Sequence, residues 1–447
     1  MPYIMNAVYY ERLRTQNGFP WRTAVERTAC LLALPLFALG IWLTIRLAIA
    51  DASVRQETPE SISEATRLES GNAAYHDLLA ESLESEGRNP DGEHELAVRL
   101  SPLEASHWIG LATRAEVERD YPRAEKYLLQ AAKVNVGFEP RWYLMNFYFR
   151  RGNLPEFSVW TRRALDISYG DLTPVFRLCW LATADAHAIE TMLPSADQPS
   201  GKKTQLEYLQ FLLSTRRLDA ARSVARQIAL QADAANLPVL IQYCDAMVDG
   251  HTDAALEVWN VLCRRKLVPF EPLSPADGHV ITNGDFRIKP TEHGFDWRLS
   301  RVDGAFVTAG AASEGAAAGG GASIEMSGNQ PEQCLLLAQI VPLAPGRKYR
   351  LDYEYRGDAV DEDSGVNWEI VSLGALSTIS QPIDIQSEHL KMTGDWVTGH
   401  LSFNAGAGFS AGTGSAARLS LRYKRALGTV RHQGAVALRR VAIEAVP

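Results

Sequence analysis

Cysteine is scarce in this chain of 447 residues. Five residues, Cys30, Cys179, Cys244, Cys263 and Cys334, are too few and too scattered for a disulfide framework. Most read as buried thiols inside apolar patterns. Cys179, Cys244 and Cys263 fall on neighbouring helical segments, which leaves one bridge open to them in an oxidising compartment. A basic excess is also missing. Lysine and arginine number 45 against 53 aspartates and glutamates, a net charge of -8 with no basic patch, which excludes nucleic acid as a partner. The ten histidines contain no H-x-x-x-H pair, so no zinc site is indicated. No glycine-rich loop precedes a helix, so no nucleotide cofactor is expected. The string Gly408-Phe409-Ser410-Ala411-Gly412 matches G-x-S-x-G, but it lies in an Ala/Gly-rich loop without the strand, turn and helix that expose a nucleophilic serine.

Long apolar runs are absent with one exception. Ala29 to Ala50 carries Arg46 as its only charge, and about 20 apolar residues suffice to cross a bilayer core as a helix. Arg12, Arg14, Arg22 and Arg27 precede it against Glu11 and Glu26. Arg46 and Arg55 end or follow it against Asp51, Glu57 and Glu60. The arginine excess on the N-terminal flank predicts a cytoplasmic tail (1–28), a transmembrane helix (29–50) and an exported body, as in a single-pass protein of a bacterial inner membrane with its bulk in the periplasm. Ala48-Ile49-Ala50 before Asp51 also fits a signal-peptidase site, so anchor and cleaved signal are the two readings of this segment.

Residues 51–69 are polar, contain Pro59 and read as a linker with a little helix. From 70 to 266 apolar residues recur at helical spacing in pairs of helices. Trp108 and Trp142 are 34 residues apart, the period of helix–turn–helix repeats. The segment HWIGLATRAEVERDYPRAEKYLLQAAKVN, with Trp108, Leu111, Ala112, Ala124, Leu128 and Ala131, resembles the tetratricopeptide repeat family. That resemblance implies an α-solenoid whose groove takes an extended segment of a protein partner. Arg150, Arg151, Arg162 and Arg163 are the candidate residues to line it.

Residues 267–278 hold three prolines and a glycine, VPFEPLSPADG within them, and read as a second linker. Short alternating runs then follow to 447, among them KYRLDYEYR, VNWEIVS and ARLSLRYK, which predict an antiparallel β-sandwich. The fold class is therefore multidomain, helical first and β second. The opening ITNGDFRIKPTEHGFDWRLS, with Asn283, Gly284, Phe286, Gly294, Phe295 and Trp297, resembles the galactose-binding and carbohydrate-binding-module jelly rolls. The whole layout, including Leu178-Cys179-Trp180, resembles uncharacterised bacterial envelope proteins, some associated with polysaccharide machinery. The resemblance implies a scaffold that docks a glycan or a protein on the jelly roll.

Sugar rings stack on exposed aromatics, and Tyr353, Tyr355, Trp368 and Trp396 are the candidate platform. The jelly rolls often hold a structural calcium, for which Asp285 and Glu444 are the candidate ligands, although Arg439 and Arg440 stand near the place of an acid. Asp358, Asp361, Glu362 and Asp363 lack the distal acid of a calcium loop and read as a solvated turn. No catalytic set is found. The rival classes are a glycan-modifying enzyme using Asp352, Glu354 and Glu369, which would need two of them paired in a cleft, and a protein–protein scaffold that binds no sugar.

Overall fold

A computed structural model describes residues 20–310, 320–358, 364–373, 384–406 and 416–446. The G-x-S-x-G string, the acidic residues 361–363 and the first 19 residues lie outside them. The chain divides into two compact units, Met1–Ile167 and Ser168–Pro447. The boundary expected near 266–279 falls inside the second.

The first unit begins with helix α1 (Pro20–Val54). Its segment Leu32–Val54 is long and apolar enough to cross a membrane, with a mean hydropathy of 2.0, and its large apolar side chains stay exposed from Leu32 to Ile49. The segment 51–69 is not a free linker. Helix α1 runs on to Val54, a turn with Glu57 in the left-handed region follows, and α2 (Pro59–Leu68) folds back. Thr58 and Ser61 cap α2 reciprocally, satisfying backbone N–H groups that a helix start leaves open. Ala50, Ala65 and Tyr75 then pack together.

Three antiparallel pairs follow: α3 (Ala73–Ser85) with α4 (Asp91–Leu100), α5 (Ala105–Val117) with α6 (Tyr121–Val134), and α7 (Phe138–Arg150) with α8 (Leu154–Leu165). Ala112, Ala124, Ala131 and Ala164 are fully buried or nearly so, because a small side chain is what lets two helix backbones cross closely. Asp120 caps α6 through Arg123 N at 3.2 Å, and Asn153 caps α8 through Glu156 N at 3.4 Å, each followed two residues later by a proline in the first turn.

In the second unit, α9 (Thr173–Thr183), α10 (Ala186–Glu190), α11 (Pro199–Ser214), α12 (Leu218–Leu230), α13 (Leu237–Met247) and α14 (Thr252–Arg264) precede the sandwich. One residue at the hairpin turns is left-handed throughout the helical region: Gly87, Arg119 and Gly152 in the first unit, Ala184, Arg216 and Gly250 in the second, at intervals of 32 to 34 residues.

The sandwich has eleven strands among the described residues: β1 (Arg298–Leu299), β2 (Arg301–Val302), β3 (Ala305–Ala309), β4 (Ala322–Ser327), β5 (Gln333–Pro342), β6 (Lys348–Gly357), β7 (Val366–Ser372), β8 (Asp384–Gln386), β9 (Val397–Asn404), β10 (Ala416–Lys424) and β11 (Gln433–Val446). They form a five-stranded sheet, β1-β5-β10-β7-β8, and a six-stranded sheet, β2-β3-β4-β11-β6-β9, with every pairing antiparallel. Their inward residues, including Trp297, Leu337, Leu351, Trp368, Leu419 and Val441, make one core.

Helices and sandwich interlock within this unit. Trp259 on α14 is fully buried, stacked on Phe270 at 6.0 Å and edge-on to Phe295 at 5.9 Å. Gly294 sits against it at φ 54°, and a Cβ there would come within 2.3 Å of the indole, so both backbone and space demand glycine. Asp245 on α13 accepts from Gly294 N at 2.6 Å, His293 Nδ1 at 2.7 Å and Arg298 at 3.4 Å. The prolines of 268–278 are pinned. Asn260 exchanges two 2.8 Å hydrogen bonds with the backbone of Leu273, and Tyr349 donates to Pro275 O at 3.0 Å.

Candidate binding faces

The aromatic platform expected from the sequence is mostly core. Strand β6 alternates cleanly, with Tyr349, Leu351, Tyr353 and Tyr355 buried and Arg350, Asp352, Glu354 and Arg356 outward. Tyr353 lies 5.8 Å from Trp368 and 5.9 Å from Tyr355, centroid to centroid, and Trp368 is fully buried. These three rings face the opposite sheet and cannot stack on a sugar. Phe286, Phe295 and Trp297 of the opening motif are fully buried as well, and Gly284 is glycine because a Cβ there would meet Val441 O at 2.1 Å.

Trp396 alone of the four lies at the surface, half-buried. The guanidinium of Arg439 lies 4.6 Å and that of Arg356 5.4 Å from its ring centroid, cation–π contacts in the favourable range. A break in register between Leu438 and Arg440 makes two β11 residues oppose one on β6. This bulge turns both Arg439 and Arg440 outward, while Leu438 and Val441 stay buried. Arg439 also pairs with Glu354. Neither Arg356 nor Arg439 stands out in the sequence as a partner for Trp396. The signal for Arg356 was the charged phase of KYRLDYEYR; for Arg439 there was none, since a bulge is not written in residue type.

The outer face of the five-stranded sheet is closed and polar. Glu369, nearly buried, accepts from Arg422 at 2.8 Å and from Gln386 at 3.3 Å. The neighbouring Ser420 hydroxyl is buried without a hydrogen-bond partner, and α14 lies against β5. Glu369 and the pair Asp352, Glu354 therefore project from opposite faces of the sandwich. Asp352 is held by Arg350, which reaches both its oxygens at 2.9 Å, and Glu354 by Arg439. Glu369 therefore cannot pair with either of the other two, and Asp352 and Glu354 are each engaged by an arginine.

Asp285 and Glu444 both line one groove of about 540 Å³ along the edge of β11. Asp285 is tied to Arg287 at 2.9 Å, and Glu444 to Arg350 at 3.8 Å and Arg440 at 4.0 Å. The arginines neutralise both carboxylates where a calcium ion would need them, and no group of three metal-ligating side chains occurs among the described residues. Cys179, Cys244, Cys263 and Cys334 are buried and not joined in a disulfide. Burial pushes the Cys263 thiol up to about 12, far from the thiolate that disulfide chemistry needs.

On the repeats, the four arginines do not share a groove. Arg150 and Arg151 end α7, whereas Arg162 and Arg163 stand in the last turn of α8, and these helices are antiparallel, so the pairs lie about 18 Å apart. Arg150 binds Glu116 at 2.6 Å, Arg151 covers Tyr121 at 3.6 Å and Arg163 covers Trp160 at 4.5 Å.

The buried polar centre of the first unit is elsewhere. His76, His94 and His107 are all nearly inaccessible. His76 contacts Glu93 at 2.6 Å, and His94 and His107 both donate to Asp77, His94 at 3.4 Å. Burial raises the Asp77 pKa, but the hydrogen bonds from the two imidazoles outweigh it and hold the carboxyl below its ordinary value. A depressed carboxylate stabilises the fold above its unfolded pKa and loses that contribution as pH falls through the folded one. We therefore expect the protection factors of amides in α3 and α5, corrected for the intrinsic pH dependence of exchange, to fall on acidification below about pH 4, and Asp77→Asn to flatten that dependence. An equal acid response in the variant would refute the assignment.

No family model matches the chain, and no curated protein matches it. Solved structures resemble parts of it. A family 4 carbohydrate-binding module is 14% identical over 37% of this chain and 99% of that one, with a TM-score of 0.27. The CBM22-1 xylan-binding domain of Paenibacillus barcinonensis Xyn10C is 12% identical over 36% and 92%, with 0.24. Pseudomonas aeruginosa pilF is 15% identical over 51% and 91%, with 0.24. Similarity this low says nothing of activity.

Proposed function

We propose that the protein is a membrane-anchored, exported binding scaffold. Helix α1 holds it in a bacterial inner membrane with the N-terminus cytoplasmic. The helical hairpins recruit a protein partner, and the sandwich docks a polysaccharide of the envelope, in its assembly or export. Retention of the anchor is supported by the end of α1. Arg46 donates to Glu69 at 2.8 Å, Tyr75 donates to Asp51, and Ala50 is fully buried. Cleavage after Ala50 would need that stretch extended and would cut through these contacts.

The docking reading rests on one observation. The outward side chains of β6 and β9 are all polar or charged, and Trp396 stands among them with arginines on its ring. A glycan array probed with the detergent-solubilised full chain tests it, displayed multivalently because a single shallow site binds weakly. Binding to polysaccharide, lost in Trp396→Ala, is the expected result. Silence across the array would favour a protein–protein scaffold, the reading that the burial of Tyr353, Tyr355 and Trp368 supports.

A further inference from the structure

Successive helices of the first unit pack on one another and are joined by short turns, so they alternate in direction. The turns 55–58, 86–90, 118–120 and 151–153 therefore share one edge of the array, and the loops 69–72, 101–104 and 135–137 share the other. The first set holds no large apolar residue. In the second, Leu103 is 79% and Val136 71% exposed. An exposed apolar residue needs no cause by itself, and Val117, in a helix end at the first edge, is exposed too. What sets Leu103 and Val136 apart is their level on the membrane helix. Helix α2 folds back along α1 for ten residues, which returns the chain by about 15 Å toward the apolar segment. There Glu69 accepts from Arg46 at 2.8 Å, and this pins loop 69–72 beside Arg46. Leu47 and Ile49 of α1 are still half-exposed at that height. A hydrocarbon core takes about 20 residues of helix, and counted from Ala29 these end at Ala48. Loop 69–72 thus stands where hydrocarbon gives way to headgroups, and the next two loops follow it along the same edge.

We propose that this edge of the hairpin array lies on the leaflet from which α1 emerges, with Leu103 and Val136 inserted among the headgroups and the first acyl carbons. The inference rests on the membrane-anchored reading above and adds a second membrane contact to it. Charge does not select the occupant. Exposed Arg99 and Lys133 precede the two loops and exposed Glu104 and Glu139 follow them, one cation and one acid at each. The attraction is that of two apolar side chains which the anchor keeps at the interface, where a contact too weak to recruit a free protein is populated by its high effective concentration. Two loop tips are too small an area for a stable protein–protein interface.

The test reconstitutes the full chain in phosphatidylcholine nanodiscs, with a benzophenone amino acid placed singly at Leu103, Val136, Val117 or Phe37. Val117 is the apolar control at the opposite edge, and Phe37 lies exposed within the apolar segment of α1. Lipid adducts formed on irradiation are counted by mass. We expect adducts at Leu103 and Val136 at least tenfold above those at Val117, together with adducts at Phe37. Leu103→Asp should lower the yield at Val136 severalfold and leave that at Phe37 unchanged, since an exposed side chain contributes little to folding. Adducts at Phe37 with none at Leu103 or Val136 would overturn the second contact and leave the anchor standing. No adducts at any position would sink both. Equal yields at Val117 would show that neither edge is preferred and overturn the proposal. Cross-links from Leu103 to a second copy of the chain, in place of lipid, would assign the edge to self-association and overturn it as well.

Discussion

Trp259→Ala destabilises the unit of residues 168–447 by about 3–5 kcal/mol, the usual cost of removing a fully buried tryptophan. The indole is the joint at which helix α14, the Phe270 segment and the Phe295 turn meet, so the cavity would open at three contacts at once. Gly294 packs directly on the ring, and its backbone N–H is held by Asp245 on the adjacent helix. The loss should therefore spread to both sides of the joint. Two measurements check it. The thermal transition of this unit should fall well below that of the wild type. Limited proteolysis, which the pinned segment 268–278 should resist in the wild type, should cut there in the variant. A wild-type chain cut at 268–278 as fast as the variant would mean that the Asn260–Leu273 clamp and the Trp259 stack do not hold helices and sandwich together.

Protease added to intact spheroplasts removes a C-terminal tag completely and leaves an N-terminal tag untouched. This all-or-none outcome follows from the proposed orientation, in which Arg12, Arg14, Arg22 and Arg27 keep their flank on the cytoplasmic side. Solubilising the membrane before digestion should abolish the protection. A protected C-terminal tag would reverse the orientation, and a mature chain beginning at Asp51 would show that the signal-peptidase reading is the right one.

The parts of the fold legible in the sequence are those set by local periodicity. Trp108 and Trp142 at 34 residues, with Ala124 and Ala131 where helices cross, give the hairpin repeat; alternation in KYRLDYEYR gives a strand of the sandwich. The repeat was harder to follow past Gly152. The left-handed turn position carries Ala184 and Arg216 as readily as Gly250, so no single residue type marks it. Neither segment that reads as a linker hangs free, and for one reason. Proline and polarity report the chain's own preference, and neither shows that Asn260 or Tyr349, from elsewhere, will hold its backbone. The face of β6 was readable in principle, since five charges on one phase, Lys348 to Arg356, leave the tyrosines only the core. The grouping of Arg439 with Arg356 around Trp396 was not, because it depends on a bulge and on three strands meeting.

The contacts at the foot of the first unit bear on mechanics. Helix α1 leaves the apolar segment without a break, and within three turns of helix it is gripped by an ion pair from Arg46, a hydrogen bond at Asp51 and the packing of Ala50. A stem held in this way is a rod with a collar, with no swivel between it and the hairpins nearest to it. If α1 spans the bilayer as proposed, a change in hydrophobic thickness that tilts the helix tilts those hairpins by the same angle. A tethered head would instead average such a change away.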